Sequence, residues 1–132
     1  MSPESHRARV LVVDDEPDLV HILEFGLKAA GYQVDVAADG QEGLKKARET
    51  KPDILLLDLM LPKLDGYKVC RLLKFDERYR QIPIIILSAR TQEGDQALAK
   101  EMGANLFVTK PYEFGEILAH IEALLKASSV SS

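Results

Sequence analysis

The sequence encodes a doubly wound α/β domain on a five-stranded parallel sheet, and three features carry that reading. Five short apolar runs alternate with five longer segments of helical character, the pattern of a parallel sheet with right-handed crossovers. The runs ILLL (54–57) and IIIL (84–87) are apolar throughout, as strands covered by helices on both faces are. Three runs give way abruptly to a residue with chemistry, Asp14, Asp58 or Ser88, and a fourth is followed by Lys110 one residue on. A chain of 132 residues fits one domain that buries roughly two-thirds of its unfolded surface without staples.

Val10 to Val13 are too few for a helix and form the first strand. Pro17 then takes a first helical position, and Leu19, Ile22, Leu23, Gly26, Leu27 and Ala30 fall on one apolar stripe that stops at Gly31. Tyr32 to Ala37 form the second strand. Asp39 and Glu42 have the spacing of a capping box for a helix running through Arg48, which Pro52 closes. Ile54 to Leu57 make the third strand, ending at Asp58. Asp65 and Gly66 open a third helix carrying Val69, Leu72 and Leu73, which fades into FDERYRQ. Pro83 precedes the fourth strand, which ends at Ser88. A weakly amphipathic fourth helix over about 92–102, anchored by Ala97, Leu98 and Met102, is expected to be the loosest. Leu106 to Val108 form a short fifth strand before Thr109, Lys110 and Pro111. Phe114, Ile117, Leu118, Ile121, Leu124 and Leu125 give the last helix a strong stripe.

The bulk composition excludes several functional classes. Seventeen basic against 21 acidic residues leave a net charge of −4, no basis for nucleic-acid binding by this segment. A single cysteine, Cys70, excludes an internal disulfide or a cysteine-based zinc site. No apolar run approaches the ~20 residues of a membrane span, and MSPESHRAR lacks the apolar middle of a secretory signal. The expected location is cytoplasmic, without membrane attachment.

In doubly wound sheets ligands bind beyond the carboxyl ends of the strands. Those ends hold Asp14 and Asp15 after strand 1, Asp58 after strand 3, Ser88 after strand 4 and Lys110 after strand 5. Three carboxylates, a hydroxyl and an ammonium suit a hard cation and a phosphoryl group. Mg2+ takes oxygen ligands and keeps several waters, so it needs no closed protein cage. Asp58, ionised at neutral pH, can attack a phosphoryl donor without a general base, while Lys110 and the cation offset charge on the transferring oxygens.

Together VLVVDDEP, LLLDLMLPKLDG, IIILSAR and LFVTKPY resemble the four motif blocks of the response-regulator receiver domain of bacterial two-component signalling. They stand in the family's order and spacing and cover roughly residues 8–126. The resemblance implies a flavodoxin-like (βα)5 fold with strand order 2-1-3-4-5. It implies a receiver domain over residues 8–127, with 1–7 a disordered N-terminal segment and 128–132 a polar tail or the start of a linker. It assigns Asp58 as phosphoacceptor from a histidine kinase or phosphotransfer protein. Asp14, Asp15, Asp58 and the carbonyl of Met60 would hold Mg2+, and Lys110 would pair with Asp58 or its phosphate, before a cis Lys110–Pro111 bond. Ser88 would donate to the phosphate and swing toward it. Phe107, where the family carries a rotating aromatic, would turn into the space vacated, remodelling a helix 4, strand 5 and helix 5 surface read by a downstream effector domain or protein.

Several features depart from the family's common pattern or stand outside it. Gln96, Leu106 and His120 occupy positions that are charged in receivers dimerising through that surface, whereas Lys100, Glu101 and Glu116 remain charged. A different phosphorylation-dependent dimer, or none, is expected, with Leu106 a candidate exposed apolar contact. Met60 and Arg90 stand where the family tunes access of hydrolytic water. His6, His21 and His120 lie outside the constellation, Cys70 is expected in the core or on its flank, and Phe25 is expected half-exposed on helix 1. Two other classes compete with a switch. A Mg2+-dependent phosphatase or phosphotransferase commonly has a second Asp two residues after the nucleophile, where this chain has Met60. A phosphorylation-independent interaction module of the same fold usually has an eroded site, and this one is intact.

Overall fold

The computed structural model describes residues 8–89 and 94–130. Strands β1 (Arg9–Val13), β2 (Gln33–Ala37), β3 (Ile54–Asp58), β4 (Ile84–Ser88) and β5 (Leu106–Thr109) alternate with helices α1 (Pro17–Ala29), α2 (Gly40–Thr50), α3 (Gly66–Lys74), α4 (Asp95–Glu101) and α5 (Phe114–Val130). All pairings are parallel and the strand order is β2-β1-β3-β4-β5, as the family resemblance implies.

Alternation along the strands divides the interior in two. Leu11, Val13, Leu55, Leu57, Ile84 and Ile86 face the layer of α2, α3 and α4. Val10, Val12, Ile54, Leu56, Ile85 and Leu87 face α1 and α5. The all-apolar reading of β3 and β4 follows directly, because both of their faces are buried. Cys70 lies within the first core, where burial pushes its thiol up to about 11, against the opposing charge of Lys74. A thiolate is the reactive form, so Cys70 is expected to resist a thiol reagent in the native protein and to react promptly in urea. Rapid native labelling would contradict this placement.

Local chemistry sets the helix starts. The Asp39 side chain accepts from the Glu42 amide at 2.8 Å, and the Glu42 carboxylate reaches back to the Ala38 amide, also at 2.8 Å, a reciprocal arrangement one residue displaced from the usual capping box. Asp65 caps α3 through the Lys68 amide. A β-carbon on Gly40 would lie 1.7 Å from the Leu64 carbonyl oxygen. Only glycine lets α2 begin so close to the loop before α3.

The structure corrects several positions. Ile22 and Leu72, placed on buried stripes by spacing, are exposed. Helix α1 packs along Leu23, Gly26 and Leu27, with the Phe114 ring against Gly26, and Ile22 falls outside this narrow line. Leu72 likewise lies beside the buried line of Val69, Cys70 and Leu73. Phe25 is 73% exposed, more than the half expected. Leu106 is half-buried against the α1 and α5 core and is not an exposed contact. Helix α5 runs on to Val130, through residues read as polar tail. Within the described residues the fourth helix runs from Asp95 to Glu101, and β5 extends to Thr109. His6, Arg90, the start of the expected fourth helix at 92, the N-terminal segment 1–7 and residues 131–132 lie outside the described residues. Among the described residues, no helix is long and apolar enough to cross a membrane.

Candidate functional site

Register brings the chemistry-bearing residues to one edge of the sheet. Val13 pairs with Leu57, Asp58 with Leu87 and Ser88 with Thr109. Parallel pairing continues one residue further. The Asp14 amide donates to the Ala37 carbonyl at 3.1 Å, the Leu59 amide to Leu87 at 3.1 Å and the Lys110 amide to Ser88 at 2.8 Å. Asp14, Asp58 and Ser88 are all buried there, and the Lys110–Pro111 peptide is cis.

Lys110 is the hub of this edge. Its ammonium lies 2.9 Å from Asp14 Oδ2, 2.7 Å from Glu16 Oε1 and 3.5 Å from Asp58 Oδ2. Burial opposes its charge, but the hydrogen bonds to Glu16 and Asp14, joined by the charges of Asp14 and Asp58, raise its pKa above the ordinary lysine range. Asp14 uses its other oxygen to accept from the Glu16 amide at 2.9 Å. Asp58 Oδ1 accepts from the Met60 amide at 3.2 Å. Burial, followed by the Asp14 charge, pushes Asp58 up to about 6 against the opposing pull of Lys110. Like charges in a site of low dielectric disfavour each other's ionised forms.

The cluster brought together is Asp14, Glu16 and Asp58, whose carboxylate oxygens lie within 4.8 Å of one another. Asp15 is exposed and borders a groove of about 410 Å³ with Met60 and Asp65, outside that trio. Glu16 is the member that sequence reading missed. It directly follows the two aspartates, but as the residue before Pro17 it reads as a helix cap. Its side chain makes no capping bond because it turns to Lys110. Tyr112 was missed as well. Its hydroxyl is buried with no hydrogen-bond partner among the described residues, and burial pushes it up to about 12. Phe107 is half-buried against the α2, α3 and α4 core and borders a groove of about 410 Å³ between α4 and β5, with Ala97 and Lys100 on its far wall.

Among the described residues, three carboxylates against one ammonium leave an excess of negative charge in a largely buried space. All of the acidic donors are hard oxygens, two of them buried. This set fits a hard divalent cation such as Mg2+, which accepts a few carboxylates and completes its shell with water.

Comparison with known proteins agrees with this geometry. The family described as response regulator receiver domain matches residues 10–122. The alkaline phosphatase synthesis transcriptional regulatory protein PhoP of Bacillus subtilis is 43% identical over 124 residues, covering 94% of this chain and 51% of its own. The DNA-binding dual master transcriptional regulator RpaA of Synechocystis is 42% identical over 118 residues, covering 89% of this chain and 49% of its own. The chain thus spans about half the length of these relatives. Among solved structures, the chemotaxis response regulator CheY4 of Vibrio cholerae superposes with a TM-score of 0.84 at 29% identity, over 89% of this chain and 98% of that one. The receiver domain of Francisella response regulator 1452 gives 0.85 at 27% identity, over 92% and 99%.

Proposed function

The chain belongs to the response regulator receiver domain family, and from that premise we propose that it is a switch phosphorylated on Asp58 by a histidine kinase or phosphotransfer protein. Receiver domains are signalling proteins rather than enzymes acting on external substrates. The observation carrying the reading is the buried Asp58 carboxylate at the end of β3, with Asp14 beside it and the Lys110 ammonium 3.5 Å away.

A carboxylate oxygen of Asp58 attacks the phosphorus, and the donor's leaving group departs with the bonding electron pair, leaving an acyl phosphate. With a pKa of about 6, Asp58 is mostly ionised at neutral pH and needs no base. Mg2+, when bound, supplies positive charge against the phosphoryl oxygens. Asp14, Asp58 and the Met60 carbonyl are the proposed protein ligands, with Glu16 as a further donor and Asp15 acting through water from the rim. Lys110 trades contacts with Asp14 and Glu16 for the phosphoryl group. Ser88 donates to a phosphoryl oxygen, and Phe107 turns inward from the α4 and β5 groove. The phosphoryl contacts then favour one conformation of α4, β5 and α5 because they are better made there. The effector reading that surface is a transcriptional domain or protein, a reading supported by the names of the two longer relatives.

Incubation with Mg2+ and acetyl phosphate, followed by intact mass measurement, is expected to show one added phosphoryl group. It is expected to be absent from Asp58→Asn and from protein held in EDTA. Labelling that persists in Asp58→Asn would remove the assignment. Turnover of added phosphoesters would favour an enzyme, and no labelling by acetyl phosphate or a kinase would favour a binding module.

A further inference from the structure

We propose that the groove between α2 and α3 is a docking site for an acidic, amphipathic helical segment of a partner protein. None of its lining residues belongs to the acidic site. The groove holds about 1080 Å³ and is lined by Arg48, Lys68, Arg71 and Arg78, with Leu72 and Phe75 among them. In a chain of net charge −4, this face concentrates cations. Asp76 and Glu77 also border it, but Asp76 is occupied. Arg78 grips both of its carboxylate oxygens, at 3.1 and 2.9 Å, and the hydrogen bonds from the Arg78 side chain and amide hold Asp76 at about 2. Arg48, Lys68 and Arg71 make no ion pair with a described carboxylate. Arg48 lies close enough to Asp76 to help hold its carboxyl low, so Lys68 and Arg71 carry most of the unpaired positive charge of this face.

Between these cations stand two large apolar side chains that packing leaves substantially exposed. Leu72 is 44% exposed and Phe75 70% exposed. They are three residues apart across the end of α3, so they share one side. The Arg71 guanidinium lies 5.9 Å from the centre of the Phe75 ring, which joins charge and apolar surface into one patch. An open groove with its apolar anchors standing in solvent suits a helix laid along it better than a compact ligand that must be enclosed. The complementary segment carries two apolar anchors at helical spacing, flanked by Asp or Glu.

The test is selection of a random short-peptide library on the full chain, with counter-selection on an Arg71→Glu, Phe75→Ala double variant. The enriched peptide is then titrated by fluorescence anisotropy. Enriched sequences are expected to be acidic with apolar residues three or four apart. Affinity should fall roughly ten-fold or more with Arg71→Glu and with Phe75→Ala separately, and should weaken as salt is raised. Both positions are exposed, so urea midpoints and acetyl phosphate labelling should match wild type, which separates this site from the phosphoryl site. No enrichment, enrichment of neutral or basic peptides, or equal affinity for the variants would overturn the proposal. So would self-association abolished by the same substitutions, which would make the occupant a second copy. Variant-sensitive sedimentation with phosphatidylserine vesicles in the absence of peptide enrichment would reassign the face to a lipid surface.

Discussion

Replacing Lys110 with Met is expected to destabilise the cation-free protein by about 3 kcal/mol at neutral pH, the scale of breaking a buried pair by removing one partner. Lys110 is only 10% exposed and the Asp14 side chain is fully buried, so the bond between them is made largely outside water. The contact with Glu16 adds less, because that carboxylate is exposed and screened by solvent. Met preserves most of the aliphatic stem, so the loss isolates charge from packing. Without the ammonium, Asp14 and Asp58 face each other unneutralised. The deficit should therefore shrink in an Asp58→Asn background. Urea unfolding of the four proteins in EDTA measures both terms. A Lys110→Met change within ~0.5 kcal/mol of zero would mean that the cluster is too hydrated to depend on its cation.

Asp58→Asn should act in the opposite direction, stabilising the cation-free protein by about 1–3 kcal/mol at pH 7, since one pKa unit corresponds to ~1.4 kcal/mol. The Asp58 carboxyl is raised in the fold from 3.8 to about 6, first by burial and then by Asp14. Between those values the native protein binds more protons than the unfolded chain, so stability falls as pH rises through the window. The Asp58 contribution is fully present below about pH 4 and lost above about pH 6. The Asn variant should lack this slope and overlay wild type near pH 4. Urea midpoints across that range at fixed ionic strength give the comparison, and an Asn variant less stable than wild type at pH 7 would refute it. A site that weakens its own fold until it is neutralised fits a functional origin better than a structural one.

The fold was legible because β3 and β4 are apolar at every position, a pattern that leaves little choice but a sheet covered on both faces. Asp14, Asp58 and Ser88 were legible because each stands where an apolar run stops, and Lys110 because it follows the last run one residue later, before Pro111; parallel register carries all four to one edge. Two of the misplacements have a common source. Ile22 and Leu72 satisfy a helical period, yet a helix on a flat sheet buries a narrow line, and spacing alone does not fix how wide that line is. Glu16 shows the same limit at the site. Its position before Pro17 reads as local, whereas its partner lies in β5's following loop, and nothing in the spacing of VDDEP specifies a contact at that distance.

Lys110 meets Asp14 and Glu16 across 96 and 94 residues of chain. The first strand and the end of the last must both be in place before this cluster exists, and contacts of such separation close late because loop closure precedes them. The charge balance of this edge is therefore a property of the folded chain and not of any one segment. A partly unfolded copy carries Asp58 without the Asp14 and Lys110 neighbours that set its electrostatics, so on the switch reading proposed above it would be a poor acceptor.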